Sequence, residues 1–241
     1  MTFIVVLIVL LFSVVQSILG VGLLVFGTPT LLLMGYSFSE ALIALLPASL
    51  VISLLQILQA PAAIREYRYR LPLFTLPFVI SALTAVFLLE STIDLSLVTG
   101  VMLLLTALTR LSKRLEETLR KLVLVSEPIY LALTGLVHGL SNMGGAFLTI
   151  FINSKFSEKL QIRSNVAYGY LFFSLAQLTT IFILDHSAIA RINWVLPICS
   201  ASVFFLVNYL AFKTLSEPVF HKLVTLLISG YGAILVGQSL I

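Results

Sequence analysis

Charge is what this sequence has least of. Asp, Glu, Lys and Arg make up 10% of its 241 residues, where a soluble domain carries about 25%. The acidic and basic residues are also confined. Residues 1–39, 41–64, 71–89, 95–109, 128–154, 164–184, 192–212 and 223–241 contain none of them. A soluble globular fold is thereby excluded, and the net charge of +4 belongs to short loops rather than to a nucleic-acid-binding face. Cysteine is nearly absent too. The single Cys199 rules out an intramolecular disulfide and a cysteine-based metal site, and no cofactor or metal-ligand motif is present. The first 39 residues lack any basic residue, so residues 2–19 do not read as a secretory leader and are expected to belong to the mature protein.

What fills the chain is apolar. Hydrophobic residues reach 60% and mean hydropathy is +1.14. Crossing a bilayer takes about 20 apolar residues, so most of the charge-free stretches are expected to be membrane segments of an all-α polytopic protein. Full spans are expected at about 41–60, 71–90, 94–111, 163–184, 191–212 and 217–240.

Two stretches do not fit a simple span. Thr2–Met34 as one helix would measure about 50 Å against a core of about 30 Å, and it is interrupted at Gly20–Gly22. A second interruption lies at Gly139–Gly145. Breaks in apolar helices survive only where protein or a watery cavity satisfies the freed backbone, and a matched pair of them points to a transporter site.

The surroundings of the breaks are repeated as well. Phe38-Ser39-Glu40 recurs as Phe156-Ser157-Glu158, Ser53 and Gln56 recur as Ser174 and Gln177, and Arg70 before Pro77 echoes Arg191 before Pro197, all at offsets of 118–121 residues. The expected organisation is an N-terminal repeat 1–112, a charged linker 113–121 and a C-terminal repeat 122–241. Each repeat combines one glycine-broken element with three membrane helices, about 8 helical segments in all. Basic residues then set orientation. Eight plain spans would divide the 14 Lys and Arg nine to five, whereas two re-entrant hairpins and inverted repeats put all but Arg191 on one side. By the positive-inside rule that side is cytoplasmic, so the linker is expected inside and both termini outside an inner membrane. In the linker, Glu116 with Arg120 and Glu117 with Lys121 are helical i,i+4 pairs. It reads as either a solvated connector or an amphipathic helix on the lipid surface.

No Asp, Glu, Lys or Arg lies near the centre of an expected segment, so neither a carboxylate proton carrier nor a cation site is anticipated. A small anion could instead be held by the positive helix N-termini that follow each break, near Gly22–Val25 and Gly144–Ala146, converging from opposite sides. Candidate binding residues on the broken segments are Gln16, Ser17, Gly20, Gly22, Thr28, His138, Ser141, Asn142, Gly144 and Gly145. On the spans that follow they are Ser49, Ser53, Gln56, Asn165, Tyr168, Ser174 and Gln177. Ser49, Ser53 and Gln56 share one helix face. Such residues also serve as ordinary hydrogen-bonding glue between membrane helices. His138, the one titratable residue deep in an apolar segment, reads either as a protonatable group or as a neutral packed imidazole.

The glycine-broken apolar run Gly20-Val21-Gly22-Leu23-Leu24, its partner Asn142-Met143-Gly144-Gly145 and the basic linker between them resemble the sulfite exporter TauE/SafE family, also called the toluene-sulfonate uptake permease family. The resemblance covers both halves. It implies transport of sulfite, organosulfonates or related small anions across the cytoplasmic membrane. The expected function is therefore secondary transport by alternating access, with H⁺ or Na⁺ open as coupling ion and self-association open as well. An anion channel on the same fold, and an intramembrane enzyme using His138 with Ser141 or Ser17, are the competing readings.

Overall fold

The computed structural model describes residues 3–61, 68–89, 92, 94–210 and 229–238. Every regular element among them is helical: α1 (Phe3–Leu19), α2 (Leu23–Leu33), α3 (Phe38–Gln59), α4 (Arg70–Leu89), α5 (Leu95–Leu111), α6 (Lys113–Val125), α7 (Glu127–Ser141), α8 (Gly144–Asn153), α9 (Lys159–Leu184), α10 (Ala188–Arg191), α11 (Val195–Leu210) and α12 (229–238). Arg65, Lys213, Lys222 and much of the expected span 217–240 lie outside the described residues.

The two broken segments fold back on themselves. Phe12 and Phe26 stack at 5.6 Å between centroids, although 14 residues of continuous helix would separate them by about 21 Å. Tyr130 lies 6.5 Å from Phe147 and 6.3 Å from Phe151 in the same way, and its hydroxyl donates to the Phe147 carbonyl at 2.8 Å. The turns use backbone that side chains resist: φ is +82° at Gly20 and +151° at Gly22, and +63° at Asn142. The second reversal is thus made at Asn142–Met143, and Gly139 remains inside α7. The arms are unequal, 17 and 11 residues in α1–α2 and 15 and 10 in α7–α8.

Among the described residues three helices are long and apolar enough to cross a bilayer unaided, α3, α4 and α9. Six full spans were expected. α5 and α11 fall short at 17 and 16 residues, and the last expected span is described only over 229–238. The chain bends by 96° between α5 and α6. α6 takes the polar linker across the end of the bundle, burying Val123 and resting Leu119 and Leu122 on the core, with Arg120 paired to Glu116 at 3.0 Å. One stripe of α6 thus packs on protein, while Leu124 and Val125 remain exposed.

α3 and α9 pack against each other at the centre, with α2 on α3 and α8 on α9. One long helix of each half crosses over: α4 packs on α7 and α9, and α11 packs on α1 and α3. Two glycines allow the closest of these contacts, for a Cβ on Gly135 would sit 2.4 Å from the Thr75 carbonyl and one on Gly139 2.5 Å from that of Val79. This G-x-x-x-G stripe brings helix backbones together as it does in membrane bundles generally.

The bundle has two distinct ends. Glu127 pairs with Arg70 at 3.4 Å and Lys155 at 3.2 Å, gathering the starts of α4 and α7 and the end of α8. At the other end a cleft of about 520 Å³ opens between Val5, Leu31, Glu40, Arg191 and Trp194, that is, among the start of α1, the end of α2, the start of α3 and the α10–α11 turn.

Candidate functional site: two helical breaks against α3 and α9

At the first break the polar residues secure the backbone. Gln16 donates its amide to the Ser49 carbonyl at 3.1 Å, to Ser49 Oγ at 3.0 Å and to Ser53 Oγ at 3.2 Å, and its oxygen accepts the Leu23 N–H at 3.3 Å. Gln56 donates to the carbonyls of Gln16 at 2.8 Å and Ser17 at 3.2 Å. The Ser17 carbonyl and the Leu23 N–H are groups that the end of α1 and the start of α2 leave without a helical partner, whereas the Gln16 carbonyl also accepts the Gly20 N–H at 2.8 Å. The amino end of α2 is therefore already capped from the side by Gln16, while Ser17 Oγ and Gln56 Oε1 are buried without a partner.

The second break is built differently. Asn142 bridges the two halves of the chain, donating to Thr28 Oγ1 on α2 at 2.9 Å and accepting from Gln177 Nε2 on α9 at 2.7 Å. Ser141 donates to the Val137 carbonyl at 2.8 Å and accepts the Met143 N–H at 3.3 Å. Gly144 and Gly145 then start α8 in a crowded place: added Cβ atoms would lie 2.5 Å from His138 Cβ and 1.7 Å from the Tyr170 hydroxyl oxygen. His138 is fully buried between Phe173, at 4.2 Å between ring centroids, and Tyr170, at 5.7 Å. The Tyr170 and Ser174 hydroxyls are buried and meet no hydrogen-bond partner, while the His138 ring lies in hydrogen-bonding reach of the Gln177 side chain.

Two candidates stand apart. Asn165 donates to the Gln161 carbonyl on its own helix at 2.9 Å, and Tyr168 turns to the Arg68 carbonyl at 2.5 Å. Tyr170, two residues on, supplies the phenol that faces the break.

Arg163, near the start of α9 and so away from the centre of its segment as expected, nevertheless reaches the first break, and the sequence did not single it out. Its residue is only 3% exposed. The guanidinium donates to the Ser17 carbonyl at 3.3 Å, to Asn208 Oδ1 at 3.4 Å and to Gln59 Oε1. The sequence disguised it as the last member of a loop series with Lys155 and Lys159, because α9 begins at Lys159, a full turn before the expected 163. The breaks are also staggered. Gly20 lies against Arg163 and Val166, and Gly145 against Tyr170, levels about 6–10 Å apart along α9. Instead of two helix ends facing one point, the protein carries a capped helix end beside a guanidinium and, deeper along α9, an open one among neutral donors.

The family model of sulfite exporter TauE/SafE matches residues 5–235, nearly the whole chain. The chain belongs to the sulfite exporter TauE/SafE family. No curated protein matches it. No solved structure matches it either. Membership makes this TauE/SafE protein a multi-pass membrane transporter of the sulfur-anion type, and both breaks and all the polar side chains described above fall within the matched residues.

Proposed function

We propose that this TauE/SafE protein is a secondary transporter that carries a small sulfur oxyanion, sulfite or an organosulfonate, across the cytoplasmic membrane by alternating access. The observation that carries the reading is the sign of the buried charge. Among the described residues Arg163 is the one fully buried ionisable side chain that bears a fixed charge, and no carboxylate is buried with it. A guanidinium in the membrane costs about 2.5–3.5 kcal/mol on insertion scales and is retained where it serves a substrate or pathway. An interior with a cation, helix ends and neutral donors suits an anion.

The repeats 1–112 and 122–241 are taken as inverted about the membrane plane, joined by the cytoplasmic linker, with both termini outside. Supporting this, the free ends of α1–α2 border the cleft, whereas those of α7–α8 meet Arg70 at the other end. Because α4 and α11 are exchanged, access would alternate by the hairpins shifting against the α3–α9 frame. Asn142 would be the link between them, since it holds Thr28 on one hairpin and Gln177 on the frame. Substrate contact is assigned to Ser17, Gly20, Gly22 and Arg163 at one level, and to His138, Gly144, Gly145, Tyr170, Ser174 and Gln177 at the other. Gln16, Ser49, Ser53, Gln56 and Thr28 shape the path. An enzyme built on His138 is less well supported, since Ser141 already donates to the Val137 carbonyl and Ser17 belongs to the other break, at the level of Arg163.

The test is flux of radiolabelled sulfite in proteoliposomes, with H⁺ and Na⁺ gradients imposed separately. Saturable uptake accelerated by substrate on the opposite side is expected. Arg163→Gln should raise KM about tenfold to a hundredfold, as for loss of a hydrogen bond to a charged group, and Arg163→Lys should recover part of it. Flux that never saturates would make the protein a channel, and no flux with any sulfur anion would end the proposal.

A further inference from the structure

The amino end of α8 is a site of its own, and we infer that it selects singly charged oxyanions, the –SO₃⁻ head of a sulfonate or of hydrogen sulfite, over dianions such as sulfate. The inference rests on the transport reading above and deepens it. Three observations meet there. α8 starts inside the protein with no side chain capping it; the Ala146 N–H turns back to the Met143 carbonyl at 3.4 Å, and the N–H groups of Gly144 and Gly145 stand at the open end of the turn. The Tyr170 hydroxyl, 0% exposed and without a partner, is aimed at that turn, its oxygen standing where a Cβ on Gly145 would be. His138 packs beside Tyr170 at 5.7 Å between ring centroids, and Ser174, one turn further along α9, is a further buried hydroxyl without a partner. By contrast the amino end of α2 is taken by Gln16. One helix start is closed by its own chain and the other is left with donors around it.

The selectivity follows from how the opposing terms scale with charge. Desolvating an ion costs in proportion to the square of its charge, so a dianion entering this enclosed place costs four times as much as a monoanion of the same size. Attraction to a fixed helix end of about +0.5 charge and to neutral hydroxyl donors grows only in proportion to the charge. A full positive charge would restore the balance, but Arg163 sits seven residues from Tyr170, about 10 Å along α9, and is engaged with Ser17, Asn208 and Gln59. The Phe173 ring, 4.2 Å from His138 and 6.1 Å from Tyr170 between centroids, makes the surroundings apolar and offers nothing to a fourth oxygen.

The experiment uses the purified full-length protein, with methanesulfonate as monoanion probe and sulfate as dianion probe, well above the ordinary histidine pKa of about 6.5. Ligand-induced stabilisation and calorimetric affinity are measured for the wild type and for Tyr170→Phe. Tyr170 makes no hydrogen bond that the fold needs, so the variant should fold, and its unliganded melting temperature checks this. Methanesulfonate should bind the wild type at least tenfold more tightly than sulfate, and Tyr170→Phe should weaken methanesulfonate about tenfold to a hundredfold. Equal binding of sulfate, or unchanged binding by a folded Tyr170→Phe, would overturn the site while leaving sulfur-anion transport standing. If the wild type binds neither probe nor sulfite, the site and the transport reading fall together.

Discussion

Replacing Gly139 by alanine adds one methyl group where α7 meets α4, and the structure says how badly it fits. The new Cβ would lie 2.5 Å from the Val79 carbonyl oxygen and 2.7 Å from Ala82 Cβ, where ordinary contact begins at 3.4 Å. Neither neighbour can swing aside, because one is backbone and the other is a methyl fixed to it. α4 must therefore retreat by about 0.9 Å, and a gap of that size forfeits a quarter to a half of the dispersion energy along the facing surfaces. Overpacking of this kind costs about 1–3 kcal/mol, and alanine's better helix propensity returns about 1 kcal/mol. The net loss of up to about 2 kcal/mol should lower the melting temperature by up to about 8 °C for a chain of this size. The protein's own Trp194 and tyrosine fluorescence can follow it in detergent. Gly230 is the control. A Cβ there meets nothing within 4 Å, so Gly230→Ala should be neutral or raise the melting temperature slightly. If Gly139→Ala melts at or above the wild type, the backbones of α4 and α7 are not in contact and the crossed packing is wrong.

Other consequences can be checked in the same preparations. Asn142→Gly keeps the φ of +63° accessible but removes the bonds to Thr28 and Gln177, so it should cost about 1–3 kcal/mol and speed amide exchange at the start of α8. Asp185, at the exposed end of α9, has its pKa held below the usual carboxylate value, first by the Ser187 hydroxyl and also by Arg191. A depressed pKa stabilises above the unfolded value, about 3.9, and that contribution fades as pH falls through the folded one. Amide protection in the turn 185–191, measured relative to the intrinsic exchange rate at each pH, should thus fall in acid, and Asp185→Asn should remove that change in protection. Co-expressed fragments 1–117 and 118–241 should assemble into one particle on size-exclusion chromatography, and each alone should aggregate.

Much of this architecture was legible because membrane insertion is governed by one-dimensional quantities. Charge-free length marked α3, α4 and α9, and glycine within an apolar run marked both reversals. The helical face shared by Ser49, Ser53 and Gln56 followed from spacing, and Gln16 engages the two serines on it. Tertiary facts were not legible. Tyr168 and Tyr170 differ by about 200° around α9, and only the packing of α8 decides which phenol faces the break. Arg163 looks like a loop residue until α9 is known to start at Lys159 and the ends of α1, α3 and α11 to close over it. Gly139 reads as part of a break, since nothing along the chain announces that α4 arrives from the other half to press on it.

The crossing of α4 and α11 also bears on how such a chain can have arisen. A half-length protein would bury its own α4 only against a second copy, and in the inverted arrangement proposed here that copy sits the other way up in the bilayer. Such an ancestor must insert in both directions, which holds the basic residues of its loops near parity. Fusing two copies through a helix such as α6 removes that restraint, because each half then has a single permanent orientation. Lys and Arg then become free to drift to one side, and the distribution that the proposed orientation implies, with Arg191 alone of 14 outside, is what such drift would leave.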